Sequence, residues 1–180
     1  MSRIRITGGA WRSRLVKVAA SKGLRPTPDR VRVTLFNWLG QDLSGLSCLD
    51  LFAGSGVLGF EAASRGAARV TLIEQDQSVF ETLRQNAQAL APLVGEHLEL
   101  IRMDAVKFAA TSTRRYDLIF IDPPYRQDWI ERVAPSLPSL ANPGARLYIE
   151  AEHAVDSLGA WRSVRQGRAG QVFYQLLEQA

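Results

Sequence analysis

One cysteine and two histidines in 180 residues leave little material for a disulfide framework or a Cys/His metal cluster. No metal is therefore expected. Cys48 stands in an apolar segment, and neither His97 nor His153 stands in a catalytic motif, so the thiol reads as buried and structural rather than nucleophilic. A lone thiol suits a reducing, cytoplasmic setting. No apolar stretch approaches the length of a membrane span, and the first residues have no signal-like apolar core, so no membrane association is expected. Internal repeats and low-complexity linkers are also missing. Residues 1–180 are expected to form one domain, long enough for a sheet covered on both faces.

Acidic residues are scarce at one end only. Residues 1–39 hold nine basic side chains against the single acid Asp29, while the remainder holds 13 basic against 17 acidic. A basic arm on a mildly acidic body is the electrostatic footprint expected for a polyanion. A solvated face that merely aids solubility is the plainer alternative, but the confinement of the excess to one end favours nucleic acid.

Charged and apolar residues alternate over 3–6 and 12–18 around Thr7-Gly8-Gly9-Ala10, which predicts a basic β-hairpin. Trp11 at its turn suits either base stacking or packing on the body. Residues 19–28 form a loop with Gly23, Pro26 and Pro28. Thr27 or Asp29 then caps a helix to about Leu39, with Val31, Leu35, Phe36 and Leu39 on one stripe. Arg30 and Arg32 in its first turns oppose the helix dipole, and an anionic neighbour would offset that cost.

From Leu46 strands and helices alternate. Strands are expected at Leu46–Phe52, Val70–Ile73, Leu98–Arg102, Leu118–Ile121 and Arg146–Ala151. Helices are expected at Val57–Arg65, Gln77–Leu90, Ala105–Thr111 and, broken by Pro135 and Pro138, Trp129–Leu140. Asn142-Pro143-Gly144 reads as a turn. Trp161–Gln166 and Gln171–Glu178 read as a final hairpin around Gly167-Arg168-Ala169-Gly170. Repeated βα units imply a doubly wound α/β fold with a mostly parallel sheet.

Two stretches carry chemistry. The first, LDLFAGSGVLG, places G-x-G-x-x-G (Gly54, Gly56, Gly59) between a strand and a helix, with Glu74 twenty positions after Gly54. Taken alone, this loop suits a dinucleotide equally well. Asp50 just before the turn disfavours a pyrophosphate and favours a cationic ligand, unless it is a buried acid bonded to backbone N–H groups. S-adenosylmethionine has a sulfonium, an ammonium and no phosphate. Its ribose hydroxyls can meet Glu74. Asp104, before Ala105, suits an adenine amino group, an N-cap, or both. The second stretch is YDLIFIDPPY. A short buried strand ends in Asp122-Pro123-Pro124-Tyr125, at the sheet edge where ligands bind in open α/β folds. A rigid Pro-Pro turn with a surface Asp is the plainer alternative.

LDLFAGSGVLGFEAASRGA, VTLIEQD, MDA and DLIFIDPPY, in this order, resemble the class I S-adenosylmethionine-dependent methyltransferases. ITGGAWR, LRPTPDRVRVTLFNWL and GRAGQVFYQLL further resemble the bacterial 16S ribosomal RNA guanine-N2 methyltransferase family, which acts on a loop guanine of the small-subunit head. The resemblance covers nearly the whole chain. It implies a Rossmann-like, mostly parallel seven-stranded sheet with the last strand antiparallel. Residues 1–25 become a basic hairpin extension for RNA. Cofactor contacts are implied at Asp50, Phe52, Ala53, Gly54, Ser55, Gly56, Glu74, Gln75, Asp104 and Ala105. Asp122, Pro123, Pro124 and Tyr125 are implied as the catalytic group. The basic arm then grips phosphates through Arg3, Arg5, Arg12, Arg14, Arg25, Arg30 and Arg32, and the segment from Arg25 to Arg30 also lies against the cofactor. Arg162, Arg165 and Arg168 add a second basic contact. The implied partner is 16S ribosomal RNA within an assembling small subunit, met by a monomer.

The residue types suit that chemistry. An exocyclic amine is a poor nucleophile because its lone pair is delocalised. The Asp122 carboxylate and the Pro123 carbonyl can each accept one N–H and turn that lone pair toward a methyl donor, and Asp122 can take the proton. Tyr125 can stack on a flipped base. DPPY also serves adenine-N6 and cytosine-N4 enzymes. An NAD-dependent oxidoreductase and a non-catalytic RNA-binding protein are the rival classes.

Overall fold

The computed structural model describes residues 2–20, 27–94 and 97–180. In chain order its elements are β1 (Arg3–Arg5), β2 (Leu15–Lys17), α1 (Asp29–Leu39), β3 (Ser47–Asp50), α2 (Val57–Ser64), β4 (Arg69–Glu74), α3 (Gln77–Val94), β5 (Leu98–Arg102) and α4 (Ala105–Thr111). There follow β6 (Tyr116–Ile121), α5 (Trp129–Val133), a 3-10 turn at Ala134–Ser136, α6 (Leu137–Leu140), β7 (Ala141–Ala151), β8 (Ser157–Leu158), β9 (Trp161–Ala169) and β10 (Val172–Gln179).

Side-chain alternation along the strands builds the layers. Leu118 and Phe120 join one apolar cluster and Ile119 and Ile121 the other, and the same division separates Cys48 from Leu49 and Tyr148 from Leu147 and Ile149. Successive strand residues face opposite sides, so β3, β6 and β7 are buried on both. One face is covered by α1, α2 and α3 through Leu35, Phe36, Phe60 and Leu83. The other is covered by α4, α5 and α6 through Phe108, Val133 and Leu140. The sheet order is β5-β4-β3-β6-β7-β10-β9-β8. The first five strands are parallel, and β10 runs antiparallel to both β7 and β9. The expected mostly parallel class with an antiparallel last strand is present. The strand count is corrected from seven to eight, because the short β8 pairs with β9. Chain direction across the sheet reverses between β3 and β6, which opens a crevice at their C-terminal ends.

Several local expectations change. Pro28 occupies the N-cap of α1 and no side chain among the described residues caps it, so neither Thr27 nor Asp29 does that work. Asn142-Pro143-Gly144 is not a free turn. It lies within β7, where the partner of Tyr116 is Ala141 and that of Leu118 is already Arg146, a bulge in the ladder. The helix after β6 is broken, as Pro135 and Pro138 predict. Gly23, Pro26 and Gly95 lie outside the described residues.

The basic hairpin β1–β2 forms its own two-stranded sheet and is tied to the body. Trp11 is buried with its ring 6.5 Å from that of Phe60, so it packs rather than waits for a base. Ala10 N donates to Ser64 O at 2.8 Å and Trp11 N to Ser64 Oγ at 2.9 Å. Thr7 N and Oγ1 both donate to Glu61 Oε2 at 2.8 Å.

Candidate active site

The crevice between β3 and β6 holds a cleft of about 290 Å³, a size that suits a small-molecule ligand. Its first half is built on the ends of β3 and β4. The turn after β3 ends at Gly56, whose φ of 86° and whose closeness to Phe60 and Leu83 leave no room for a Cβ. Gly59 lets α2 press on β4, where an added Cβ would sit 2.6 Å from Leu72 Cδ2. The helix start turns the Gly59 N–H onto Asp50 Oδ2 at 3.0 Å. Asp50 is therefore a backbone-bonded buried acid and also a cleft residue, and its Oδ1 has no hydrogen-bond partner among the described residues. Burial, with the charges of Glu74 and Glu150, pushes its carboxyl up to about 7.

Glu74 accepts from Gly54 N at 3.0 Å and from Asp76 N at 2.9 Å, and burial raises its carboxyl too. Phe52, Ala53, Gly54, Ser55, Glu74, Gln75 and Ala105 all line the cleft. Gly56 shapes the turn from behind. The Asp104 carboxylate caps α4 by accepting from Lys107 N at 2.9 Å, between the lining residues Met103 and Ala105. Trp129 closes the floor edge-on to Phe52 at 5.6 Å and beneath the Arg132 guanidinium.

The second half is built on β6 and β7. Ile121 pairs with Ile149, so the next residues, Asp122 and Glu150, leave neighbouring strands side by side. Asp122, Pro123, Pro124 and Tyr125 all line the cleft, and so does Glu150. Thr27 Oγ1 lies 3.3 Å from Asp122 Oδ2 and 3.1 Å from Glu150 Oε1, so its one proton is offered to either carboxyl. Tyr148 Oη donates to Glu150 Oε1 at 2.6 Å. Burial, and then the charge of Glu150, hold the Asp122 carboxyl well above its usual range. Burial raises Glu150 as well, against the opposing hydrogen bonds of Tyr148, Asp122 and Thr27. Arg126 and Asp128 adopt left-handed backbone just beyond Tyr125, a costly conformation for residues with a Cβ.

Thr27, Tyr148 and Glu150 were missed as site residues. Glu150 had a legible signal: an acid directly after a buried apolar strand, as at Asp50, Glu74 and Asp122. Thr27 had none beyond its place before a helix.

Four buried or half-buried carboxylates, Asp50, Glu74, Asp122 and Glu150, therefore meet in one cleft, and no Lys, Arg or His appears among the described lining residues. Such a site disfavours pyrophosphate and fits a ligand that brings positive charge. The family model described as Conserved hypothetical protein 95 matches residues 4–178. Ribosomal RNA small subunit methyltransferase D of Escherichia coli is 42% identical, over 97% of this chain and 89% of its own length. The Haemophilus influenzae protein of that name is 38% identical, over 97% and 93%.

The chain belongs to this methyltransferase family.

The solved Escherichia coli protein yhhF superposes with a TM-score of 0.86 at 40% identity, covering 99% of this chain and 98% of that one. More distant solved methyltransferases share the class I fold. In this member of the family, Arg3, Arg5, Arg12, Arg14 and Arg30 are exposed. Arg14 also reaches Ala89 O at 3.3 Å. Arg25 lies outside the described residues.

Arg32 is a correction. Its side chain is fully buried, with Nη1 2.6 Å from both Glu61 Oε2 and Arg5 O, Nε 3.2 Å from Thr27 O, and Nη2 on the Asp29 carboxylate. It faces inward because it stands one residue after Val31 and three before Leu35 on the stripe that meets the sheet. Glu61 and Asp29 are the anionic neighbours its position in the first turn called for. Arg162, Arg165 and Arg168 are exposed on β9, and the adjoining Ala169 and Val172 reach the cleft.

Proposed function

We propose that this chain transfers a methyl group from S-adenosylmethionine to the exocyclic N2 of a guanine in 16S ribosomal RNA. The observation that carries the reading is the meeting, at one switch point, of Asp50 with its spare buried oxygen and the Asp122-Pro123 acceptor pair. The names of the relatives supply the small-subunit RNA as substrate.

Asp50, Glu74, Gln75, the turn from Phe52 to Gly56, and Asp104-Ala105 are the residues that would hold the cofactor. When bound, it supplies an electrophilic methyl group whose carbon–sulfur bond breaks as a carbon–nitrogen bond forms. Beside the positive charge of the bound cofactor the raised Asp122 carboxyl takes its ionised form. That carboxylate and the Pro123 carbonyl then each accept one amine N–H and leave the nitrogen lone pair free to attack. Pro123 and Pro124 restrict the backbone and keep that acceptor pair in place. Asp122 then takes the proton that the amine loses on methylation. Tyr125 stacks on the base once it has left its loop.

Residues 1–180 act as one methyltransferase domain, with 1–25 as an RNA-gripping extension. Arg3, Arg5, Arg12, Arg14, Arg25 and Arg30 bind phosphates. The protein works as a monomer in the cytoplasm, on an assembling small subunit. No helix among the described residues is long and apolar enough to cross a membrane.

Asp122→Ala tests the mechanism. Methyl transfer to small subunits is expected to fall on the order of a thousandfold, with S-adenosylmethionine affinity kept. Full activity in that variant refutes the assignment. Digesting the product to nucleosides must yield N2-methylguanosine. Offering labelled cofactor with naked RNA and with subunits identifies the substrate form.

A further inference from the structure

Glu150 is a buried charged side chain that the mechanism above leaves unused. We propose that Glu150 selects the acceptor base: its carboxylate accepts the ring N–H that stands beside the amino group in guanine and that adenine and cytosine lack. The inference rests on the guanine-N2 reading and adds the residue that enforces it.

Position comes first. Asp122 and Glu150 extend from adjacent parallel strands in register, and both line the same cleft, on the side away from Glu74 and Asp104. Neighbouring strands stand about 4.8 Å apart, so the two carboxyls stand side by side, hydrogen-bonded to each other until a bound base takes over both as acceptors. A base whose amine is bonded to Asp122 presents its next edge atom toward the neighbouring strand.

Orientation comes second. Glu150 is 6% exposed, and its Oε1 is fixed by Tyr148 Oη at 2.6 Å and Thr27 Oγ1 at 3.1 Å. The Tyr148 hydroxyl, joined by the Thr27 hydroxyl when its one proton turns this way, favours the ionised form and restricts the rotamer. A carboxylate retains acceptor capacity after two such bonds, because each oxygen has two lone pairs. Glu150 is thus held as an oriented acceptor with capacity to spare.

The chemistry of the edge decides the choice. Beside its amino group, guanine presents N1–H, a donor. Beside theirs, adenine and cytosine present a ring nitrogen lone pair. In this half of the cleft the described acidic side chains are Asp122 and Glu150, and the Thr27 hydroxyl is already turned onto them. No cationic side chain among the described lining residues is available to meet a lone pair. A ring nitrogen lone pair set against this pair goes unbonded and is repelled, whereas a ring N–H is bonded. Sites built to bond a substrate N–H reject analogues that lack it by orders of magnitude.

The test uses small subunits reconstituted with 16S RNA that carries either guanine or 2-aminopurine at the methylated position. 2-Aminopurine keeps the 2-amino group but has a lone pair at N1. With the wild-type protein, kcat/KM for 2-aminopurine is expected to be about a hundredfold or more below that for guanine. Glu150→Gln offers an amide N–H as well as a carbonyl, so the ratio is expected to narrow to about tenfold or less. Its melting temperature and cofactor affinity stay near wild type. If Glu150→Gln does not fold, Glu150→Asp, which withdraws the acceptor by one methylene, takes its place with the same ratio as readout. Equal wild-type rates on the two bases overturn the proposal, as does an unchanged ratio in a folded, cofactor-binding variant. A wild-type protein inactive on the guanine subunits overturns the guanine reading instead.

Discussion

Replacing Arg32 by methionine separates a structural arginine from an RNA-binding one. The guanidinium is fully buried and bonded to Glu61, Asp29, Arg5 O and Thr27 O. Methionine fills similar space without a charge, and strands Glu61, whose side chain is itself fully buried. Removing one partner of a buried ion pair costs about 3–5 kcal/mol. Glu61 keeps the two Thr7 donors at 2.8 Å and the looser Arg65 contact at 3.5 Å. Those contacts put the expected loss near the low end, about 3 kcal/mol. For a chain of this size each kcal/mol moves the melting midpoint about 2–4 °C, so the drop should be about 6–12 °C. The double variant Arg32→Met, Glu61→Leu removes both charges and should recover most of that loss. Calorimetry measures the midpoints, and RNA titrations between 50 mM and 200 mM salt measure phosphate contacts, as in the range where such contacts dominate. The folded Arg32→Met variant should keep the wild-type salt dependence, since a buried guanidinium releases no counterion on RNA binding. An unchanged midpoint together with a salt slope shallower by about one would put Arg32 on a phosphate and refute the burial argument.

The exposed arginines of the arm should behave oppositely. Arg3→Ala, Arg5→Ala, Arg12→Ala and Arg14→Ala are each expected to lower the salt slope of RNA binding by about one, with melting midpoints unmoved. An arm variant that melts early but binds RNA normally contradicts that role. The pH dependence follows from Asp50. Its carboxyl is raised to about 7 in the folded protein, against an ordinary value of about 4 in the unfolded chain. Between those values the folded protein holds a proton on Asp50 that the unfolded chain has lost, so the Asp50 component of stability falls as pH rises from about 4 to about 7 and then levels, beside components of the same sign from the raised Glu74, Asp122 and Glu150. Asp50→Asn should abolish that component in melts from pH 4.5 to pH 8, a range chosen to span both values. A wild-type profile in that variant contradicts the burial argument. A cation bound beside Asp50 favours its ionised form, so S-adenosylmethionine binding should release protons, detected as a buffer-dependent heat. Uncharged sulfur in S-adenosylhomocysteine should release fewer.

Most of the frame was legible because alternation and glycine placement are local signals. Leu118 to Ile121, the turn at Gly54 to Gly56, and the acids at Asp50, Glu74, Asp104 and Asp122 each announce themselves within a few residues. Ala105–Thr111 and Leu98–Arg102 appear with the expected bounds. What escaped depends on contacts across the chain. Arg32 looks like its basic neighbours; it shares the inward stripe of Val31 and Leu35, and the acid that makes that burial tolerable, Glu61, stands 29 positions later. Thr27 resembled a helix cap, yet its hydroxyl serves carboxyls 95 and 123 positions away. Asn142-Pro143-Gly144 reads as a free turn because a bulge inside a strand uses the same residues. Glu150 carries a readable signal, a charge at the end of a buried strand.

The Arg32 crossing point has a practical consequence for chimeras. A graft boundary placed between the arm and the body looks convenient, because the hairpin forms a separate sheet. Yet one guanidinium joins the hairpin backbone at Arg5, the buried acid of α2, and the carbonyl of Thr27, whose hydroxyl props the acids at the reaction centre. A donor arm spliced in without a matching arginine, threonine and glutamate would therefore arrive unmoored and leave the reaction centre without its prop. Recombination between relatives is safest where all three come from the same parent.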